Sequence, residues 1–168
     1  MTFDIEKSGE REMLEAHLED TRETVVAKCA GISESDARRK LGPSNTSVAG
    51  ILKHLTNVER WWFRHQLAGE DEVPMDWNDT EPDLEFVISD DETMESLLAL
   101  YAKECDRSRQ IAAGLQLDDL AVRANPHGKH PSLRWVYLHM IDENARHNGH
   151  LDIYRELLDG YGEWDARA

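Results

Sequence analysis

Between Pro131 and Gly160 the chain runs for 28 residues without a proline, and Ser132 stands ready to cap the segment at its start. A proline before, a serine N-cap and a glycine after are start and stop signals for one long helix. Three other segments read the same way. One spans about Glu10 to Ala30, with Met13, Leu14, Leu18, Thr21, Val25 and Cys29 at helical spacing and Gly31 beyond. A second spans about Ser47 to Leu67. A third spans about Asp91 to Ala113, with Met94, Leu97, Leu98, Tyr101 and Cys105 on one side. A short helical turn is expected in "SESDARRKL", capped by Ser33 or Ser35. Four helices of this length with little β signal predict an all-α four-helix bundle, with residues 1–168 forming a single domain.

Two inter-helix connections are long, "AGEDEVPMDWNDTEPDLEFVISD" and "LQLDDLAVRANPHGKHP". Neither forces its flanking helices to be antiparallel neighbours. Connections of this size inside a compact domain are often functional covers. The first contains Met75, Trp77, Leu84 and Phe86, which read either as packing down over something or as plugging one end of the bundle.

The last helix carries an anomaly. At 100° per residue, Glu143, His147, His139 and His150 fall within the same stripe as Val136, Met140, Tyr154, Leu157 and Leu158. Asp142, Asn148, Asp152, Arg155, Glu156 and Asp159 fall on the opposite, solvent side. A carboxylate and imidazoles on an apolar face are costly unless they pair with each other, with water or with a metal ion. On the second helix, His54 lies at the centre of a stripe that includes Ile51, Val58 and Trp61. Glu143 and His147, at i and i+4, project side by side. Two imidazoles and a carboxylate from two bundle helices can form a three-ligand site with a position left open. ExxxH on a helix is a common string, and spacing alone leaves a metal site and a satisfied polar core on equal terms.

Composition narrows the function classes. The formal net charge is −15, which lacks the basic footprint of a nucleic-acid binder. No stretch is long and apolar enough for a membrane span, and the N-terminus lacks an apolar signal core. The two cysteines form no CxxC. A cytoplasmic location is therefore expected. No glycine-rich nucleotide loop and no GxSxG is present.

The strings "LKHLTNVERWWF" and "LRWVYLHMIDENARHNGHLDIYRELLDG" resemble the DinB-like superfamily of metal-binding four-helix proteins, in particular its small actinobacterial members once grouped only as a domain of unknown function. The superfamily includes the mycothiol-dependent maleylpyruvate isomerase and the bacillithiol transferases. The resemblance implies a metal ligand at His54 and a ligand pair at Glu143 and His147. Glu143 stands where many members have histidine, and the isomerase also uses glutamate there. His139 and His150, one turn either side of the pair, are implied to line the pocket or support the ligands. The isomerase carries a further C-terminal domain, so isomerisation of maleylpyruvate is not expected of this chain. The implied activity is transfer of a low-molecular-weight thiol of the mycothiol type to a small electrophile. It would depend on one divalent metal, zinc first, with nickel or iron also suited to His₂Glu. A metal-dependent hydrolase and a non-enzymatic metal-binding stress-response protein are the alternatives. The tryptophan content, and the habit of relatives to pair, suggest a homodimer. His65 reads as packing or a helix end, His127 and His130 as loop polarity, and Cys29 and Cys105 as core.

Overall fold

The computed structural model describes residues 6, 8–44, 46–77 and 80–161; most of the charged tail "YGEWDARA" lies outside them. The long helices are α1 (Glu10–Cys29), α3 (Val48–Glu59), α4 (Met94–Ala113) and α5 (Leu133–Asp159). A short helix, α2 (Glu34–Ala37), follows α1, and α3 continues as a π-helical stretch, Arg60–Leu67. A 3₁₀ turn, Pro82–Phe86, lies in the α3–α4 connection. Among the described residues there is no strand, only an isolated bridge between Leu120 and Ser132. The expected all-α fold is what forms.

The helix starts are set by side chains that satisfy otherwise orphaned backbone N–H groups. Ser132 accepts from Trp135 N, Ser47 accepts from Gly50 N, and Ser33 rather than Ser35 caps α2. α4 starts at Met94 instead of Asp91 because Thr93 and Ser96 form a reciprocal capping box. Gly160 closes α5 at φ 74°, a left-handed conformation that costs glycine little.

Side-chain pairings fix the helix directions. Along α1 and α5, Glu10 meets Arg134, Glu15 meets Tyr137, Thr21 meets Asn148, and Lys28 O meets Arg155. The numbers rise together, so α1 and α5 are parallel. α3 and α4 are parallel too, since Lys53 pairs with Glu92 while Arg64 pairs with Glu104. α1 and α4 are antiparallel: Arg11 reaches Ala112 O and Arg109 reaches Glu19. Two parallel neighbours joined in sequence need a connection that returns along the bundle. That is why the α3–α4 connection is long, and it brings this segment across α3.

Two apolar clusters fill the interior. One gathers Val25, Ile51, Leu52, Leu55, Leu97, Tyr101 and Leu151. The other gathers Leu18, Phe63, Leu67, Leu133, Val136 and Met140. Between them in sequence register stands an ion pair that helical periodicity did not reveal. Arg22 forks onto Glu59 with Nε–Oε1 2.8 Å and Nη2–Oε2 2.6 Å, and both are buried. Removing one partner of such a pair strands a buried charge, which is far more damaging than replacing both.

α5 departs from its sequence reading at Asn148, Arg155 and Leu157. Asn148 and Arg155, assigned to solvent, are buried, whereas Leu157, assigned to the apolar stripe, is 66% exposed. The reason is that α5 is covered on two sides. α1 covers one face, where Asn148 Nδ2 donates to Thr21 O (3.0 Å) and Arg155 Nη1 donates to Lys28 O (2.5 Å) and Ala30 O (3.1 Å). α3 approaches another face, carrying Glu143 and His147. The centre of burial therefore runs through Met140, Asn144 and Leu151, with His139, Glu143 and His147 half-buried at its edge and His150 exposed.

Candidate metal centre

His54 reaches the cluster from the middle of α3, and Glu143 and His147 reach it from one face of α5. His54 Nε2 lies 3.1 Å from Glu143 Oε1, and His147 Nε2 lies 3.2 Å from the same oxygen. Ligand-capable atoms of the three residues all fall within 4.8 Å of one another. The side chains retain 13%, 17% and 12% of their exposure, so one side of the cluster opens to solvent. The three residues singled out in the sequence are thus brought together.

The electrostatics follow from this convergence. Hydrogen bonds from His147 and then His54 hold the Glu143 carboxyl far below the usual carboxylate range, against the opposing effect of burial. For His54, burial by itself lowers the pKa, but the bond to Glu143 and the carboxylate of Glu85 outweigh it and push the imidazole up to about 9. A compact trio of two imidazoles around one anion is also what a borderline divalent cation selects.

Glu85 is the residue that sequence reasoning missed. Its Oε2 lies 3.1 Å from His54 Nδ1, close enough for an ion pair although not in line for a hydrogen bond. The next residue, Phe86, stacks on the His54 ring at 4.8 Å with 17° between planes. Of the apolar residues in the long connection, Phe86 packs on His54 and Trp77 sets its edge against Trp61. The available signal was an acidic residue between Leu84 and Phe86, in a loop whose apolar residues read either as a cover or as a plug for one end of the bundle.

Gly50 makes this cover possible. A Cβ there would sit 2.9 Å from Phe86 O and 3.4 Å from Phe86 Cα. Lys53 and Arg38 tie the strap down further, donating to Val87 O (2.9 Å) and Ser89 O (3.0 Å).

The flanking histidines divide. His139 stays half-buried between two indoles, 4.7 Å from Trp62 and 5.0 Å from Trp135, and burial lowers its pKa. His150 is exposed, its ring edge-on to His147 at 5.3 Å. His65 stacks on Trp61 at 4.6 Å. His130 Nδ1 contacts Ala121 O at 2.8 Å, and neither His127 nor His130 joins the cluster. A cavity of about 670 Å³ between α1 and α4 shares no residue with the cluster, and its arginines already pair with glutamates. Its size does not make it the reaction site. No helix among the described residues is long and apolar enough to cross a membrane.

Fold and site together define an all-helical bundle protein with a histidine–glutamate–histidine cluster spanning two of its long helices. A family model described as mycothiol-S-transferase matches residues 13–160, a span that includes all three cluster residues, and the chain belongs to that family. The DinB-like resemblance read from the sequence is thereby borne out. Among solved structures, the conserved protein of locus from Enterococcus faecalis superposes with a TM-score of 0.65. Its identity is 15%, over 92% of this chain and 99% of that one, a likeness of fold. No curated protein matches.

Proposed function

We propose that the protein is a metal-dependent thiol S-transferase, joining a low-molecular-weight thiol of the mycothiol type to a small electrophile. The observation that carries this reading is the convergence of His54, Glu143 and His147 within 4.8 Å in a chain of the mycothiol-S-transferase family. His54, Glu143 and His147 would hold one divalent cation, with zinc the first choice and nickel or iron(II) also compatible with this donor set. When bound, such a cation favours the thiolate form of a thiol near neutral pH, and the thiolate is the nucleophile.

The chain's own residues prepare the place. Glu143 supplies the negative charge. Glu85 faces the second nitrogen of His54 and so orients the ring, as carboxylates beside metal-ligating histidines do. Phe86 covers one face of that ring and keeps water from it. The protein's own thiols do not serve. Cys29 and Cys105 are buried, and burial pushes Cys29 up to about 12 and Cys105 higher still. The reacting thiol therefore comes from outside. In a substitution, the sulfur–carbon bond forms as the leaving group departs with its electron pair, and the thiol proton goes to solvent on the open side.

The test is elemental analysis of the protein as purified, followed by thiol-consumption assays with mycothiol and other thiols against several electrophiles. About one divalent metal per chain and metal-dependent consumption of thiol and electrophile in equal amounts are expected. Metal with ester or amide hydrolysis, and no thiol consumption, would replace this reading with the hydrolase. Metal-free protein that takes up no zinc, nickel or iron would end it.

A further inference from the structure

The two helices that carry the cluster also carry a row of rings. On α3, His54 and Val58 are followed, in its π-helical continuation, by Trp62. On α5, Glu143 is preceded by His139 and then Trp135. The contacts pair Trp62 with His139 at 4.7 Å and with Trp135 at 5.1 Å, while Trp135 lies flat on His139, 5.0 Å away and 8° from parallel. As α3 advances from His54 to Trp62, its partners on α5 recede from His147 to Trp135. The two helices therefore run antiparallel here, with the cluster and the rings side by side between them. His139 and Glu143 share one face a turn apart, a separation of about 5–6 Å between their Cβ atoms. The row is not closed off. Trp135 is 44% exposed, the neighbouring Leu138 is 54% exposed, and Trp62 and His139 are half-buried. The backbone helps to form it. Trp61 and Trp62 lie in the π-helical stretch, where they diverge, Trp61 toward His65 and Trp77 and Trp62 toward α5.

We propose that the row Trp62–His139–Trp135 is the subsite for the second substrate, and that this substrate is an electrophile bearing a flat aromatic or conjugated group. The inference rests on the thiol-transfer reading and adds the class of acceptor to it. A half-open group of rings, Trp135 and His139 parallel and Trp62 set at 57° and 65° to them, offers a planar group both dispersion and face-to-edge contacts that it does not offer a compact polar molecule. Burial lowers the pKa of His139 and so disfavours its charged form, which leaves the rings more suited to an apolar ring than to an anion. A ring seated against the open side of the row at its His139 end stands one turn from Glu143 and presents its substituent toward the cluster. Trp135 and Trp62 act by seating the acceptor and take no part in bond making.

Two enones that differ only in the group on the reacting carbon separate seating from chemistry: 4-phenylbut-3-en-2-one and pent-3-en-2-one. With mycothiol, the sulfur bonds to the β-carbon, the π pair moves to the α-carbon, and that carbon takes up the proton the thiol gave up. No other reactant is needed. The zinc-loaded protein should favour the phenyl enone by about tenfold or more in kcat/KM after correction for the uncatalysed rates, the order expected for stacking one ring. Trp135→Ala should cut this preference about tenfold, chiefly through KM, and Trp135→Phe should retain most of it. Because Trp135 is partly exposed in the first turn of α5, Trp135→Ala is expected to fold, and a melting curve checks this. A second readout needs no turnover. The unreactive 4-phenylbutan-2-one should quench tryptophan fluorescence in a saturable way that Trp135→Ala abolishes. If mycothiol is never consumed but this quenching is seen and lost in Trp135→Ala, the ring subsite stands and the transferase reading falls. If transfer occurs with equal preference for the two enones, or Trp135→Ala leaves the preference intact, the subsite is overturned. A dimer that Trp135→Ala dissociates without changing the preference would equally overturn it, making this face the homodimer contact instead.

Discussion

Gly50→Ala tests whether the strap over His54 governs the proposed metal centre. The new methyl would meet Phe86 O at 2.9 Å, Ser47 Oγ at 3.2 Å and Phe86 Cα at 3.4 Å. An ordinary carbon–oxygen contact is about 0.5 Å longer than the first of these. The strap must shift, because the opposing atom is backbone and Gly50 itself is held in α3. Overpacking of this kind costs about 1–3 kcal/mol, and the better helix propensity of alanine returns about 1 kcal/mol. The metal-free fold should thus lose about 0–2 kcal/mol, a fall in Tm of up to about 8 °C for a chain of this size. The larger effect should be on metal binding. Glu85 and Phe86 move with the strap, so His54 loses the carboxylate that orients it, and losses of that sort run to about 10–100-fold in affinity. Zinc affinity is read by competition with a chromophoric chelator, and Tm is read on metal-free protein. Gly149→Ala is the control, since a Cβ there meets nothing within 4 Å and α5 should gain slightly. If Gly50→Ala binds zinc as tightly as wild type while Tm falls, the strap is only packing and Glu85 does not support the site.

Glu143→Gln should weaken zinc binding more than His139→Gln, because Glu143 is the anion on which both imidazoles converge while His139 sits among indoles; dialysis against a mild chelator followed by metal analysis decides, and the reverse order would move the proposed ligand set by one turn. The pH dependence has a definite sign. In metal-free protein His54 is raised to about 9, so a proton must leave it before a cation binds, and zinc affinity should climb with pH to about 9 and then level off; chelator competition at several pH values reads this, and a flat profile between pH 6 and 8 refutes it. For stability, the raised His54 contributes fully below its unfolded value of about 6.5 and its contribution is lost as pH rises through about 9; the lowered Glu143 contributes above about 4.3 and its contribution is lost as pH falls. The contribution of this pair to the metal-free Tm should therefore be greatest between about pH 4.3 and 6.5, as scanning calorimetry of wild type against Glu143→Gln would show.

Sequence by itself determined the helices and the three residues at their meeting point. Helix limits are local: Ser132, Ser47 and Gly160 satisfy or terminate backbone hydrogen bonding within a turn of themselves, so the signal lies in adjacent letters. His54, Glu143 and His147 were legible because an ionisable residue on an apolar stripe is an anomaly in a one-dimensional pattern. Tertiary structure decided the rest. Whether Asn148 and Arg155 are buried depends on α1 lying parallel to α5 and offering the carbonyls of Thr21, Lys28 and Ala30. Periodicity describes one helix and carries no record of which neighbour supplies its hydrogen bonds. The partnership of Arg22 with Glu59 was hidden for the same reason, since each looks like a surface charge until two helices place them 2.6 Å apart. Glu85 was hidden because a loop has no period, and its place beside His54 is fixed only by the return path that two parallel helices require and by the missing side chain of Gly50.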